Sequence, residues 1–275
     1  MIGCPWAGEN WVSRICVLGD AHLDVVVRLA GPVAPDTDTP ARTQVGVGGQ
    51  AANVAAWISA LGGQARLIAA RGTDLAAGLM AAELAGRGVD LAGPVLDGPT
   101  GVVVSLSERG TSRSMLTDRG VGPRLSADTL DPGWLAGCGW LHLPAYSLAS
   151  DPVSGAALAA AAQVPRLSVD LSSTALLREY GAQRFRGLLG RLRPEVVFGT
   201  ADEVALIGEL PGPALVVKLG ADGVRAGGRV HPARPARAVD PTGAGDAFAA
   251  GYLVGGVSLG LDAAARAVAK MGAMP

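Results

Sequence analysis

The stretch that decides the fold is Asp240-Pro241-Thr242-Gly243-Ala244-Gly245-Asp246-Ala247-Phe248. Small residues stand here between two carboxylates, just where an apolar run, Ala247 to Val254, begins. Gly243, Ala244 and Gly245 let backbone N–H groups approach an anion with little side-chain obstruction. The apolar run reads as a helix start, whose free N–H groups and positive dipole end favour a phosphate. Asp246 then falls in the first turn, within reach of whatever meets that phosphate. A carboxylate base beside a bare anion hole suits phosphoryl transfer to a hydroxyl, a reaction governed by positioning and charge stabilisation. Taken singly, these residues have ordinary uses too. Asp-Pro opens helices as N-cap and N1, and first-turn acids suit the dipole.

The rest of the composition narrows the classes. The 275 residues allow one large domain, or a domain with a small appendage. A hydrophobic content of 49% gives material for a sizeable core. The formal net charge of -1 leaves no electrostatic footprint for nucleic acid or an anionic membrane. Lys218 and Lys270 are the two lysines, and neither sits in a Gly-Lys-Ser/Thr setting, which excludes a Walker-A P-loop. Cys4, Cys16 and Cys138 show no C-x-x-C spacing, so free thiols in a reducing compartment are expected. No apolar run reads as transmembrane, and residues Met1 to Ser13 read as a loose extension rather than a signal peptide. Together these place the chain in the cytoplasm.

Along the chain, Arg14 to Gly19 reads as a buried strand and His22 to Leu29 as a second. Arg42 to Val47 looks extended, and Gln50 to Leu61 has helical composition. A strand at Arg66 to Ala70 precedes a helix at Asp74 to Arg87. Thr100 to Leu106 and Ser112 to Thr117 form a hairpin candidate. From about residue 140 onward, strands and helices alternate, which implies βαβ units and a parallel sheet with helices on both faces. The strands at His22–Val47 and Thr100–Thr117 come without helices, so they are expected to pair as a separate small sheet over the α/β body.

These residues resemble the ribokinase-like (PfkB) family of sugar and nucleoside kinases. Gly48-Gly49-Gln50-Ala51-Ala52-Asn53 is similar to that family's N-terminal Gly-Gly-x-x-x-Asn signature, and Asp240 to Phe248 is very close to its C-terminal signature. Thr200-Ala201-Asp202-Glu203 looks like its Asn-x-x-Glu element, and Lys218-Leu219-Gly220-Ala221-Asp222-Gly223 like its nucleotide-edge strand and turn. The resemblance implies an α/β fold: a Rossmann-type sheet flanked by helices, with a small β-sheet lid. It implies a kinase domain over residues 14–275 after an extension at 1–13, with the lid at about 22–47 and 100–117.

The resemblance also implies roles. Asp246 matches the general base, and Gly243, Ala244 and Gly245 the anion hole. Asp24, Gly49, Asn53 and Arg119 match substrate contacts. Lys218, Gly220 and Gly223 match backbone positions around the nucleotide. Glu203 matches the acid that organises Mg²⁺ through water, and Asp240 a ligand for a monovalent cation such as K⁺ or an orienter of the phosphate loop. ATP and Mg²⁺ are the implied cofactors, a small sugar or sugar acid the implied partner, and a homodimer through the lid the implied assembly. Two features depart from the family. Thr200 replaces the usual Asn, and the chain stops soon after Leu261–Met271, which would thin one wall of the adenine pocket.

A nucleoside is the alternative substrate, and it needs an apolar or aromatic slot. Aromatics make up 4% of the chain, and neither lid segment holds one, which favours a sugar. Gly46 to Ala51 also fits G-x-G-x-x-A, the signature of an NAD(P)-dependent oxidoreductase, but that reading leaves Asp240–Phe248 unexplained. A catalytically weak, metabolite-binding relative is the remaining alternative, with Thr200 and the short C-terminus in its favour.

Overall fold

The computed structural model describes residues 14–107, 113–208 and 210–275. The expected N-terminal extension, Cys4 and the tip of the expected hairpin lie outside them.

The first strand, β1 (Arg14–Leu18), sets the plan. Its side chains alternate: Ile15 and Val17 enter one core, Cys16 and Leu18 another. A strand buried on both faces needs such a continuous apolar run. Next to it, all parallel, lie β4 (Ala65–Ile68) and β5 (Asp90–Ala92) on one side. On the other side come β8 (Cys138–Pro144), β9 (Leu167–Asp170), β10 (Val196–Thr200) and β11 (Ala214–Lys218). Antiparallel β12 (Val224–Ala226) and β13 (Arg229–His231) complete the nine-stranded sheet. The chain builds outward from β1 through β4 to β5, then reverses to β8. That reversal is the switch point where sheets of this type hold ligands, outside the carboxyl ends of the strands.

A second sheet has the order β3-β2-β6-β7. Its strands are β2 (His22–Leu29), β3 (Ala41–Gly48), β6 (Thr100–Ser107) and β7 (Arg113–Gly120). The helix-free strand clusters therefore do pair with each other, β2 lying parallel to β6.

Helices α1 (Gln50–Ala60) and α8 (Ala244–Val268) pack on one face of the large sheet, burying Trp57 and Phe248 with Phe198 of β10. Helix α2 (Leu75–Gly86) joins that face through Met80 and Leu84. The other face is covered by α3 (Ala145–Ala149), α4 (Val153–Ala161), α5 (Thr174–Tyr180), α6 (Ala182–Leu192) and α7 (Ala201–Ile207).

Helix α8 opens where the apolar run begins, with Asp246 in its first turn as expected; Gly243 caps it, so the Asp-Pro pair belongs to the preceding loop. By length and apolarity α8 meets the measure of a membrane span, which the run-by-run reading missed, but 61% of its most apolar window is buried inside the molecule. Its backbone is also broken at Gly255 and Gly256. Finally, Cys16 and Cys138 stand side by side on neighbouring strands, their Cα atoms 5.9 Å apart. A sequence separation of 122 conceals that β1 and β8 are neighbours.

Candidate active site

The carboxyl ends of β1, β8, β9, β10 and β11 open beneath the lid into a cavity of about 580 Å³. Asp246, Gly245, Asp24, Gly49, Asn53, Arg119, Glu203 and Lys218 all line it. Residues from six separate stretches of sequence thus meet in one cleft.

At its floor stands the first turn of α8. Gly243 has φ 77°, a conformation that glycine adopts freely, and a Cβ there would lie 2.5 Å from the Ala273 side chain. The C-terminal segment is stitched beneath this loop. Asp240 accepts hydrogen bonds from the amides of Thr242 (2.9 Å) and Gly272 (3.1 Å), and the Trp57 indole donates to the Ala273 carbonyl at 2.8 Å. The Ala244 amide closes a turn onto Pro241 O at 3.2 Å. The Gly245 and Asp246 amides, at the open N-terminal end, make no such backbone bond among the described residues. Gly243 and Ala244 lie under the cleft rather than on its lining, and Asp240 borders a second cavity beside the tail.

Asp246 is half-buried, and its Oδ2 accepts a 2.8 Å hydrogen bond from Asn53 Nδ2. Removal from water pushes its carboxyl up to about 7. The Asn53 bond pulls the other way, Asp170 adds to the rise, and Lys218 opposes it. A group poised near neutrality is what a general base needs. Asn53 thus holds the carboxylate directly, while its own Oδ1 is buried without a hydrogen-bond partner, as is Gln50 Oε1.

Helix α1 is brought to this point by Gly49, whose φ of 102° leaves it 2.6 Å, measured from a would-be Cβ, below the Asp20 carbonyl. On β2, His22 and Asp24 share a face by the two-residue strand period. His22 Nε2 lies 3.1 Å from Asp24 Oδ1. From the lid's β7, Arg119 reaches over the ring of Tyr146, 5.7 Å from its centroid.

Glu203 is buried, and its Oε2 accepts from the Thr200 amide at 2.8 Å while Thr200 Oγ1 caps the Glu203 amide at 3.3 Å. This reciprocal capping box fixes the head of α7 at the cleft wall. Threonine at position 200 is well suited to that cap. Among the described residues no cluster of three acidic, histidine or cysteine side chains forms a metal cage. The donors present therefore fit Mg²⁺ held chiefly by nucleotide phosphates and water, with Glu203 at hand.

The family resemblance implies only a backbone position for Lys218. Its ammonium in fact sits 2.8 Å and 3.1 Å from the two carboxylate oxygens of Asp170, which is fully buried. Burial would lower the Lys218 pKa, but Asp170, with Glu203 and Asp246 nearby, outweighs it and holds the group above its ordinary value. Gly220 and Gly223 form the turn after β11 and do not line the cavity. Sequence reasoning also passed over Asp170, Ser172 and Tyr146, all on the lining. The two-residue period through His22 and Asp24 was a usable signal for His22; nothing local singled out the others.

The lidded α/β fold with a carboxylate at a helix N-terminus defines a class, the ribokinase-like sugar kinases. The pfkB family carbohydrate kinase profile matches residues 12–274, and the chain belongs to that family. It is 31% identical over 251 residues to the ATP-dependent ribose-1-phosphate kinase of Halopiger xanaduensis, covering 87% of this chain and 83% of that one. It is 30% identical over 291 residues to an Escherichia coli fructokinase, covering 94% and 89%. The solved adenosine kinase of Sinorhizobium meliloti shares the fold, with a TM-score of 0.82 at 22% identity over 96% of each chain. The chain is a carbohydrate kinase.

Proposed function

We propose that this chain transfers the γ-phosphoryl group of ATP to a primary hydroxyl of a small sugar or sugar acid. One observation carries the reading: the Asp246 carboxyl, pushed up to about 7, stands in the first turn of α8 beside the uncommitted Gly245 amide. Asp246 takes the hydroxyl proton as that oxygen bonds to phosphorus and the bond to the ADP oxygen breaks. The amides at the head of α8 meet the charge that develops on the phosphoryl oxygens. Bound with the nucleotide, Mg²⁺ supplies further charge neutralisation, and Glu203 is the residue that would hold it through water.

The sugar is taken beneath the lid. Asn53 Oδ1 and Gln50 Oε1 are buried acceptors without partners, the kind that sugar hydroxyls satisfy. Asp24 and His22 supply further polar contacts from β2, and Arg119 closes the lid side. Fructose and ribose phosphates or free sugars fit the names of the relatives. A nucleoside is the second reading, and Tyr146 favours it: its ring gives the cleft the aromatic surface that the lid segments lack.

We assign Asp240 to orienting the phosphate loop through the Thr242 and Gly272 amides. A K⁺ ion there would share those oxygens, and rates in potassium against choline salts report it. Exposed Val45 and Leu116 support a homodimer through the lid. We assign the enzyme to the cytoplasm, where ATP is at hand. The test of the function is ADP release from MgATP against a panel of sugars, sugar phosphates and nucleosides. Release stimulated by a sugar supports the reading; stimulation by nucleosides alone transfers it to the alternative.

A further inference from the structure

Asp170 and Lys218 stand at the carboxyl ends of β9 and β11, and their ion pair spans the intervening β10. In register, Asp170 faces Phe198 and Lys218 faces Thr200. The pair is built rather than incidental. Asp170 is fully buried, and its Oδ1 also accepts from the Ser172 amide at 2.9 Å. Ser172 holds a φ of 64°, uncommon for a residue with a side chain, and its Oγ accepts from the Ala145 amide at 3.0 Å. The carboxylate is thus held by the Ser172 amide, and it holds the lysine in turn.

Lys218 Nζ lies 3.3 Å from where a Cβ on Gly245 would be, against the first turn of α8. Its side chain keeps 15% exposure and lines the cleft, whereas its partner has none. Asp20, Asp24, Asp170, Glu203 and Asp246 all line the same cavity, and the lysine and arginine among its lining residues are Lys218 and Arg119. Arg119 comes from the lid strand β7. Lys218 is therefore the full positive charge next to the amides proposed to receive phosphoryl oxygens. An anion entering among five carboxylates needs such a charge close by.

We propose that the Lys218 ammonium contacts the transferred phosphoryl group and stabilises its charge in the transition state, and that Asp170 positions it. This rests on the kinase reading above. It gives the lysine a side-chain role beyond the nucleotide edge, and it explains why a buried carboxylate is spent on holding it. Proton transfer stays with Asp246; Lys218 remains protonated throughout, so no atom or electron moves through it.

The test removes the pair without leaving a lone buried charge, since an orphaned Asp170 would itself unfold the protein. The double variant Asp170→Asn/Lys218→Gln is compared with wild type for turnover, sugar KM, and affinity for MgADP with and without aluminium fluoride. Turnover is expected to fall roughly 10²-fold with sugar KM within about threefold, the pattern of an interaction made in the transition state. MgADP affinity should hold, while the extra affinity conferred by aluminium fluoride is lost. Wild-type turnover, or equal loss of both affinities, would overturn the proposal. Lys218→Arg, which retains the charge and the pair, should recover part of the turnover lost in the double variant. Should the double variant not fold, Asp170→Glu decides, since it keeps both charges but displaces the ammonium: turnover roughly tenfold lower at unchanged MgADP affinity supports the positioning role, and wild-type turnover rejects it. A wild-type protein that phosphorylates none of the acceptors sinks the kinase reading itself, and this proposal with it.

Discussion

Replacing Asp246 by Asn should make the protein more stable and far less active. The folded state holds this carboxyl near 7 against an ordinary value of 3.8. A raised folded value means that the native state resists ionisation, so the group destabilises the fold once pH exceeds its folded value. That cost fades as pH falls from about 7 towards 3.8, where the folded state takes the proton and the unfolded state does not. Above pH 7 the difference corresponds to about 4 kcal/mol, at ~1.4 kcal/mol for each unit. Solvent reaching the carboxyl through the cleft reduces it, so a gain of about 2–4 kcal/mol is expected for Asp246→Asn at pH 8. In a chain of this size that is a rise in Tm of roughly 5–10 °C. Asparagine keeps the shape and still accepts from Asn53, but it cannot take a proton, so turnover should fall by roughly 10²–10⁴. The assay pairs scanning calorimetry at pH 8 and pH 5 with ADP release at saturating substrates. The stability gain should shrink at the lower pH. A variant that loses activity without gaining stability at pH 8 would refute the desolvated base, and one that keeps its activity would refute the base outright.

Other consequences follow from the same geometry. Asn53→Ala removes the bond that favours ionised Asp246, so the acid limb of kcat/KM should move upward from about pH 7; an unmoved limb in a pH–rate profile contradicts the coupling. His142 is buried and held down to about 4, chiefly by burial, so it must stay neutral in the fold. Its contribution is intact above pH 6.5 and is lost by about 3 kcal/mol as pH falls to 4. Urea titrations of Asp246→Asn, with and without His142→Gln, isolate this, because wild-type Asp246 offsets it over the same range. Equal acid sensitivity in the two variants rejects it. Gly245→Val should place a branched side chain against Lys218 and the amides, lowering turnover while far-UV circular dichroism stays native; an active variant argues against an anion hole there.

Much of this molecule is written locally. The runs at Arg14, Trp140, Arg166 and Glu195 are apolar because strands covered on both faces bury every side chain, and the structure has strands there. The lid was legible because its strands lack intervening helices. The segment Asp240–Phe248 stood out because small residues lie beside a carboxylate there, and Gly245 and Asp246 do line the cleft. What stayed hidden depends on contacts between distant positions. Asp170 and Lys218 are 48 residues apart, and their meeting depends on β10 lying between them. The approach of Cys16 to Cys138 depends on the sheet reversing direction at β1. Helix α5 and the short β12–β13 edge carry too few residues for a period to show. Tyr146 shows how a count of lid aromatics misleads: the aromatic surface arrives from α3 in the body.

The most direct test of the account is a ³¹P NMR time course of wild-type protein with MgATP and, in turn, fructose, ribose, a ribose phosphate and adenosine. The account predicts that a sugar phosphomonoester signal grows in step with ADP for at least one carbohydrate. ATP that stays intact with each acceptor, or is merely hydrolysed to ADP and inorganic phosphate, would contradict it.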